Sequence, residues 1–170
     1  MDRNLVVIDN FLDDPDYIRE IALGLDFDNY NEHVPGVRSA SARGDYETLI
    51  TSKFEAIFKS KIIWNWNQDS FCFQSCQEGT ETWIHQDVKS EWAAVLFLTP
   101  DAPVDSGTGI YHKDENGKWE MNIAVGNVYN RLVAYRGKVL YHRSMLPGFG
   151  DSLRTSRLTQ VFFFDIEPNG

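Results

Sequence analysis

The hydrophobic pattern of the chain changes period near residue 61. Upstream of it, two stretches repeat apolar residues at helical spacing. Over residues 15–25, Tyr17, Ile18, Ile21, Ala22 and Leu25 define one apolar face, and Asp13, Asp14 and Asp16 around Pro15 supply a helix start. Over residues 45–60, Leu49, Ile50, Phe54, Ile57 and Phe58 define another. Residues 5–8, Leu-Val-Val-Ile, form a short β-rich run ahead of the first helix. Residues 26–43 show no period, contain Pro35-Gly36, and read as a loop. His33 and Arg38 lie in that loop. Either could reach a substrate, but the plainer reading is a solvated side chain.

Downstream, apolar residues alternate or run in short blocks. Strands are expected over 63–66, 71–76, 83–87, 93–98, 109–113, 118–123, 132–135, 139–142 and 158–165. Turn residues separate them, among them Thr99-Pro100-Asp101, Arg136-Gly137 and the hairpin signal Asn116-Gly117. Short strands with no helices between them predict an antiparallel sandwich or barrel, so the fold class is mainly β with N-terminal helices. The expectation is one domain over 1–170, with a helical part at about 13–60 and a β core at about 61–166. Hydrophobic residues make up 42% of the chain and aromatics 14%, which suits a packed core and argues against disorder. Trp64, Trp66 and Trp92 read as core residues.

Charge narrows the partners. Lys and Arg number 16 against 25 Asp and Glu, a net charge of -9, which disfavours non-specific phosphate binding and argues against a nucleic-acid substrate. One basic cluster runs against this trend in the last forty residues: Arg131, Arg136, Arg143, Arg154 and Arg157. No apolar run is long enough to span a membrane, and the N-terminus lacks a signal-peptide core, so the expected location is cytoplasmic. Cys72 and Cys76 would sit about 13 Å apart on one strand at ~3.3 Å per residue. A disulfide needs Cα atoms within roughly 7 Å, so two free thiols are expected.

The candidate chemistry begins at Trp83-Ile84-His85-Gln86-Asp87. A histidine and a carboxylate two apart on a strand face the same way and make half of a small metal site. Such a pair is a weak signal alone, and its plain reading is a hydrogen-bonded strand end. His142, at the end of the apolar run Val139-Leu140-Tyr141, is the candidate third ligand. Two histidines and one carboxylate on one side of an iron leave the other side open, the geometry of non-haem Fe(II) oxygenases. His112 is a rival ligand, but it precedes a polar hairpin and is expected to be exposed. Trp83 reads either as an apolar wall beside the site or as a core residue.

The order His-x-Asp, distal His, then Arg157-x-Thr159 on the last strand resembles the Fe(II)- and 2-oxoglutarate-dependent dioxygenases, in particular their prolyl-hydroxylase-like branch. Residues 93–99 followed by Asp105-Ser106-Gly107-Thr108-Gly109 resemble the strand and glycine turn after the first motif. Residues 130–135, Asn-Arg-Leu-Val-Ala-Tyr, resemble the strand leading to the distal histidine. The resemblance covers roughly residues 70–165, and each piece is less specific than the combination.

The resemblance implies a double-stranded β-helix (a jelly roll, cupin-like) with iron at one open end, held by His85, Asp87 and His142. It implies Fe(II) as the metal, 2-oxoglutarate and O2 as co-substrates, and a peptidyl or free amino-acid side chain as the substrate of a hydroxylase. A guanidinium suits the far carboxylate of 2-oxoglutarate because its planar fork matches a carboxylate and stays charged. Arg157 is the candidate, with Thr159 donating a hydroxyl hydrogen bond, and Arg154 is the fallback. Arg157 follows His142 by fifteen positions, a long interval that residues 147–156 would have to absorb as a loop. Two further readings stand beside the oxygenase. One is a metal-free jelly-roll binding module, and the other is a metal-dependent cupin enzyme that does not use 2-oxoglutarate.

Overall fold

Among the described residues the chain forms eleven strands and two α-helices. In order they are β1 (Leu5–Ile8), α1 (Pro15–Leu23), β2 (Phe27–Asp28), β3 (Val37–Ser39), α2 (Glu47–Phe58), β4 (Ile62–Trp64), β5 (Phe73–Cys76), β6 (Trp92–Phe97), β7 (Thr108–Lys113), β8 (Trp119–Val125), β9 (Leu132–Tyr135), β10 (Tyr141–Ser144) and β11 (Arg157–Ile166). The computed structural model describes residues 4–29, 32–44, 46–65 and 69–168.

The strands form two antiparallel sheets. The larger runs β1-β9-β6-β11-β5-β3-β2, and β4 pairs with the far end of β11 beyond β5. The smaller runs β10-β7-β8. Strand alternation divides the large sheet's side chains between two cores. One set, including Leu158, Phe162 and Phe164 of β11, Ala94 and Leu96 of β6, and Leu132 and Ala134 of β9, packs under the two helices. The other set, Ala93 and Phe97 of β6 with Val133 and Tyr135 of β9, meets Ile110 and Val125 of the small sheet. Two facing sheets with helices on one outer face make the double-stranded β-helix that the sequence resemblance implied.

The helices start and end where local chemistry allows. The Asp14 carboxylate accepts from the Tyr17 N–H at 3.0 Å, and Pro15 occupies the first turn, where its missing N–H costs nothing. The expected end at residue 25 falls two residues late, because the chain leaves the helix at Gly24. Tyr17 is 62% exposed and lies off the buried face of Ile18 and Ala22. The expected start of the second helix at residue 45 lies outside the described residues; its end is set by Lys59, whose φ of 54° is left-handed. Leu49, assigned to the apolar face by spacing, is 50% exposed. Phe54 carries that face inward, its ring centroid lying 5.1 to 5.6 Å from those of Phe11, Trp64, Phe162 and Phe164. Trp92 is buried and Trp64 packs against the same core; Trp66 lies outside the described residues.

The expected loop over 26–43 was the main misreading of secondary structure. It contains β2 and β3, which extend the large sheet past β5. Strands of two and three residues are too short to show a period, so only their pairing reveals them. The N-terminus is tied to the same sheet by β1 and by Asn130. The Asn130 amide accepts from the Leu12 N–H and donates to the Leu12 carbonyl, both at 2.8 Å and both buried. Asn130→Ala would leave both backbone groups unsatisfied and is expected to cost about 1–3 kcal/mol, read as a lower denaturant midpoint with unchanged slope. Cys72 and Cys76 are both buried and are not joined in a disulfide, as expected. Among the described residues no helix is long and apolar enough to cross a membrane.

Candidate metal centre

His85, Asp87 and His142 converge at one end of the space between the sheets, with one ligand atom from each within 4.8 Å of the others. The Asp87 Oδ1 lies 3.8 Å from the His85 Nε2 and 3.7 Å from the His142 Nε2, and the two imidazole centroids are 4.4 Å apart. The regular strand expected over 83–87 is reduced to a single bridge. His85 and His142 exchange both backbone hydrogen bonds, at 3.1 and 2.9 Å. Beyond that pair the opposing chain turns, with the Val139 and Leu140 N–H groups both donating to the Arg136 carbonyl. The ladder cannot continue, and the Asp87 N–H donates instead to the Gly137 carbonyl at 2.8 Å.

Each imidazole is oriented from behind. The Nδ1 of His85 lies 3.0 Å from the Trp83 carbonyl, and that of His142 lies 2.9 Å from the Leu140 carbonyl. A carbonyl only accepts, so each Nδ1 donates and each Nε2 is turned toward Asp87. His142 is buried, and burial lowers its pKa, with His85 acting in the same direction and Asp87 opposing. It is therefore held in the neutral form that binds metals. The Asp87 Oδ2 is buried with no hydrogen-bond partner among the described residues. Two oriented imidazole nitrogens facing a carboxylate, in a buried setting, fit a divalent transition metal.

A cavity of about 300 Å³ leads from this cluster between the sheets. Arg157, at the start of β11, lines it and is only 6% exposed. Its Nε donates to the Ser106 carbonyl at 2.7 Å, and its guanidinium carbon lies 5.5 Å from the Phe97 ring centre. Burial pulls its pKa below the ordinary guanidinium range; Cys76 and Tyr135 act the other way, and no carboxylate among the described residues does so. Thr159 is buried on the same strand face, but it does not line the cavity.

The long interval between His142 and Arg157 has a structural use. Met145 and Leu146 bond back to Gly107 and Asp105, and the chain then crosses beneath β5, where Phe149 and Gly150 pair with Cys76 and Glu78. Arg154 sits on that crossing, exposed, 3.4 Å from Glu20, and outside the cavity lining. The basic cluster seen in the sequence disperses in space. Arg131 pairs with Asp9, Arg136 with Glu91 and Arg154 with Glu20, while Arg157 turns inward. His112 is exposed and lies 3.6 Å from Glu120, away from the cluster. Trp83 is 40% exposed at the cavity mouth, its ring centroid 6.3 Å from that of His85, so the core reading does not hold.

Tyr135, Arg38, Gln74 and His33 also line the cavity, outside the expected set of site residues. Tyr135 packs its ring 4.4 Å from the His142 ring, and burial, then the Asp87 charge, push its pKa up, so it stays a neutral phenol. Its signal was the alternation within β9, which places it on the same face as Val133. Arg38 lines the cavity from β3, 8% exposed, donating to the Gln74 amide oxygen and lying 3.5 Å from Asp69. Its reading as a solvated loop residue is wrong because β3 was not visible. Gln74 sits beside it on β5.

Fold and site together define a class: a double-stranded β-helix with a two-histidine, one-carboxylate cluster at its open end. No protein-family model and no curated protein matches the sequence. Solved structures do match the fold. A prolyl-4-hydroxylase from Pseudomonas putida aligns over 97% of this chain and 94% of its own, with a TM-score of 0.58 at 15% identity. A prolyl hydroxylase from Trichoplax adhaerens, solved with a peptide fragment of the hypoxia inducible factor oxygen degradation domain, aligns over 95% and 83% with a TM-score of 0.61 at 11% identity. HygX from Streptomyces hygroscopicus, solved with nickel and 2-oxoglutarate, aligns over 95% and 82% with a TM-score of 0.64 at 10% identity. At these identities the likeness is one of fold.

Proposed function

We propose that the chain is an Fe(II)- and 2-oxoglutarate-dependent dioxygenase that hydroxylates a peptidyl or free amino-acid side chain. The observation that carries this reading is the pairing, in one cavity, of the His85–Asp87–His142 cluster with a buried guanidinium lacking a carboxylate partner among the described residues. His85 and His142 would hold the metal through Nε2 and Asp87 through a carboxylate oxygen. Iron bound there would couple decarboxylation of 2-oxoglutarate, to succinate and CO2, with oxygen transfer to a C–H bond.

The chain's own residues would do the rest. Arg157 binds the far carboxylate of the 2-oxo acid, since a buried cation without a counter-ion favours an anion beside it. Thr159, the hydroxyl donor expected beside it, is buried outside the cavity lining and is given no contact with that group. Tyr135 holds the His142 ring in place and keeps water from the buried side of the cluster. Trp83 walls the mouth with apolar surface. The solved neighbours support both partner classes, since HygX was solved with 2-oxoglutarate and the Trichoplax enzyme with a peptide. The net charge of -9 favours an amino-acid substrate over nucleic acid.

The test is anaerobic addition of Fe(II) and 2-oxoglutarate. The expected result is a visible charge-transfer band, followed by succinate formation when air is admitted. Absence of both would sink the proposal.

A further inference from the structure

We infer that Gly137 is a positioning residue for the Asp87 carboxylate, holding it in place by the absence of a side chain. The inference deepens the reading of Asp87 as a metal ligand and rests on it. The three members of the cluster are held by different means. Both imidazoles are oriented by hydrogen bonds from Nδ1 to a carbonyl two residues back. The Asp87 Oδ2 is buried and receives no hydrogen bond from the described residues. Its orientation is therefore set by shape, and the surface it rests against is Gly137.

The fit is close. A Cβ on Gly137 would lie 2.0 Å from the Asp87 Oδ2, 2.8 Å from its Cγ and 3.1 Å from its Cβ. Gly137 does not have a positive φ, so an alanine is compatible with its backbone conformation. The need for glycine is one of space.

The surrounding turn cannot easily retreat. The Gly137 carbonyl accepts from the Asp87 N–H, and the Val139 carbonyl accepts from the Gln86 side chain at 2.8 Å. The Arg136 N–H donates to the Asn4 carbonyl at 3.0 Å, and the Arg136 side chain pairs with Glu91. The softest element is the carboxylate. Rotation about its last bond moves the oxygens but leaves Cγ in the clash, so the whole side chain must change rotamer. That takes Oδ1 away from the two Nε2 atoms.

The experiment uses Co(II) as the probe metal and four full-length apo proteins: parent, Gly137→Ala, Asp87→Ala and the double variant. Each is titrated with Co(II) and melted without metal. Gly137→Ala is expected to weaken Co(II) binding by ~10–100-fold, the usual range for a residue that orients a ligand. In the Asp87→Ala background the same change should cost no further affinity, and most of any melting shift it causes in the parent should disappear, since only the 3.1 Å contact to the Cβ of residue 87 remains. Parent-like Co(II) affinity in Gly137→Ala would overturn the inference. So would an equal loss in the Asp87→Ala background, or a double variant that does not fold. If the parent takes up no Co(II), the metal reading fails, and the melting cycle alone decides positioning. A cost that largely vanishes without Asp87 upholds it, and an unchanged cost overturns it.

Discussion

Replacing His142 by Ala is expected to abolish both metal uptake and 2-oxoglutarate turnover. In the proposed site the side chain would contribute one of the three ligands found among the described residues, and it is the most buried of them. Its Nδ1–carbonyl bond and the Tyr135 ring fix it in a single orientation, and burial keeps it neutral, so its Nε2 is ready to bind without reorganisation. The two groups left, His85 and Asp87, sit on a segment joined to the small sheet by one backbone bridge. That bridge uses main-chain atoms, so it survives the substitution and the fold should persist. Metal titration with circular dichroism on the same sample separates loss of ligand from loss of structure. Retained metal binding would show that the third ligand was chosen wrongly. His112→Ala is the control, since His112 is exposed beside Glu120 and should leave binding unchanged.

Arg157→Ala is expected to weaken 2-oxoglutarate binding while sparing the metal. Removing one partner of a buried charge pair costs about 2–5 kcal/mol, or roughly 30-fold to several thousand-fold in Kd. The site meets the conditions for the upper part of that range. The guanidinium is buried, braced by the Ser106 carbonyl and the Phe97 ring, and has no carboxylate of the chain beside it among the described residues. Arg154→Ala should leave the affinity as it is, because Arg154 is exposed and outside the cavity lining. Titrating 2-oxoglutarate into the Fe(II)-loaded variants and following the charge-transfer band measures both. An effect on Arg154→Ala in place of Arg157→Ala would overturn the assignment.

The parts legible in the sequence were those with a long period or a strong local signal. The first helix announced itself through Asp14 and Pro15, and β6, β9 and β11 through continuous apolar blocks. The parts that were not legible depend on pairing across the chain. β2 and β3 are too short to carry a period, and Arg38 was set aside with them. The regular strand expected at Trp83 gave way to a single bridge because its partner turns at Gly137. Neither event leaves a trace in the local composition.

The same division runs through the site. His85-x-Asp87, a distal His142 and Arg157-x-Thr159 were all visible as residues in order, because each lies on a short stretch with its own pattern. Their convergence was not visible, because fifty-five positions separate Asp87 from His142. The choice between Arg157 and Arg154 as a cavity-lining cation was also left to the tertiary structure. The two lie three positions apart, yet one enters the buried face of β11 and the other remains on an exposed crossing. The sequence alone determined which side chains could bind a metal and a carboxylate, since that follows from their chemistry. Only the packing of two sheets decided which of them face one cavity, since burial and orientation depend on strands that meet far apart in the chain.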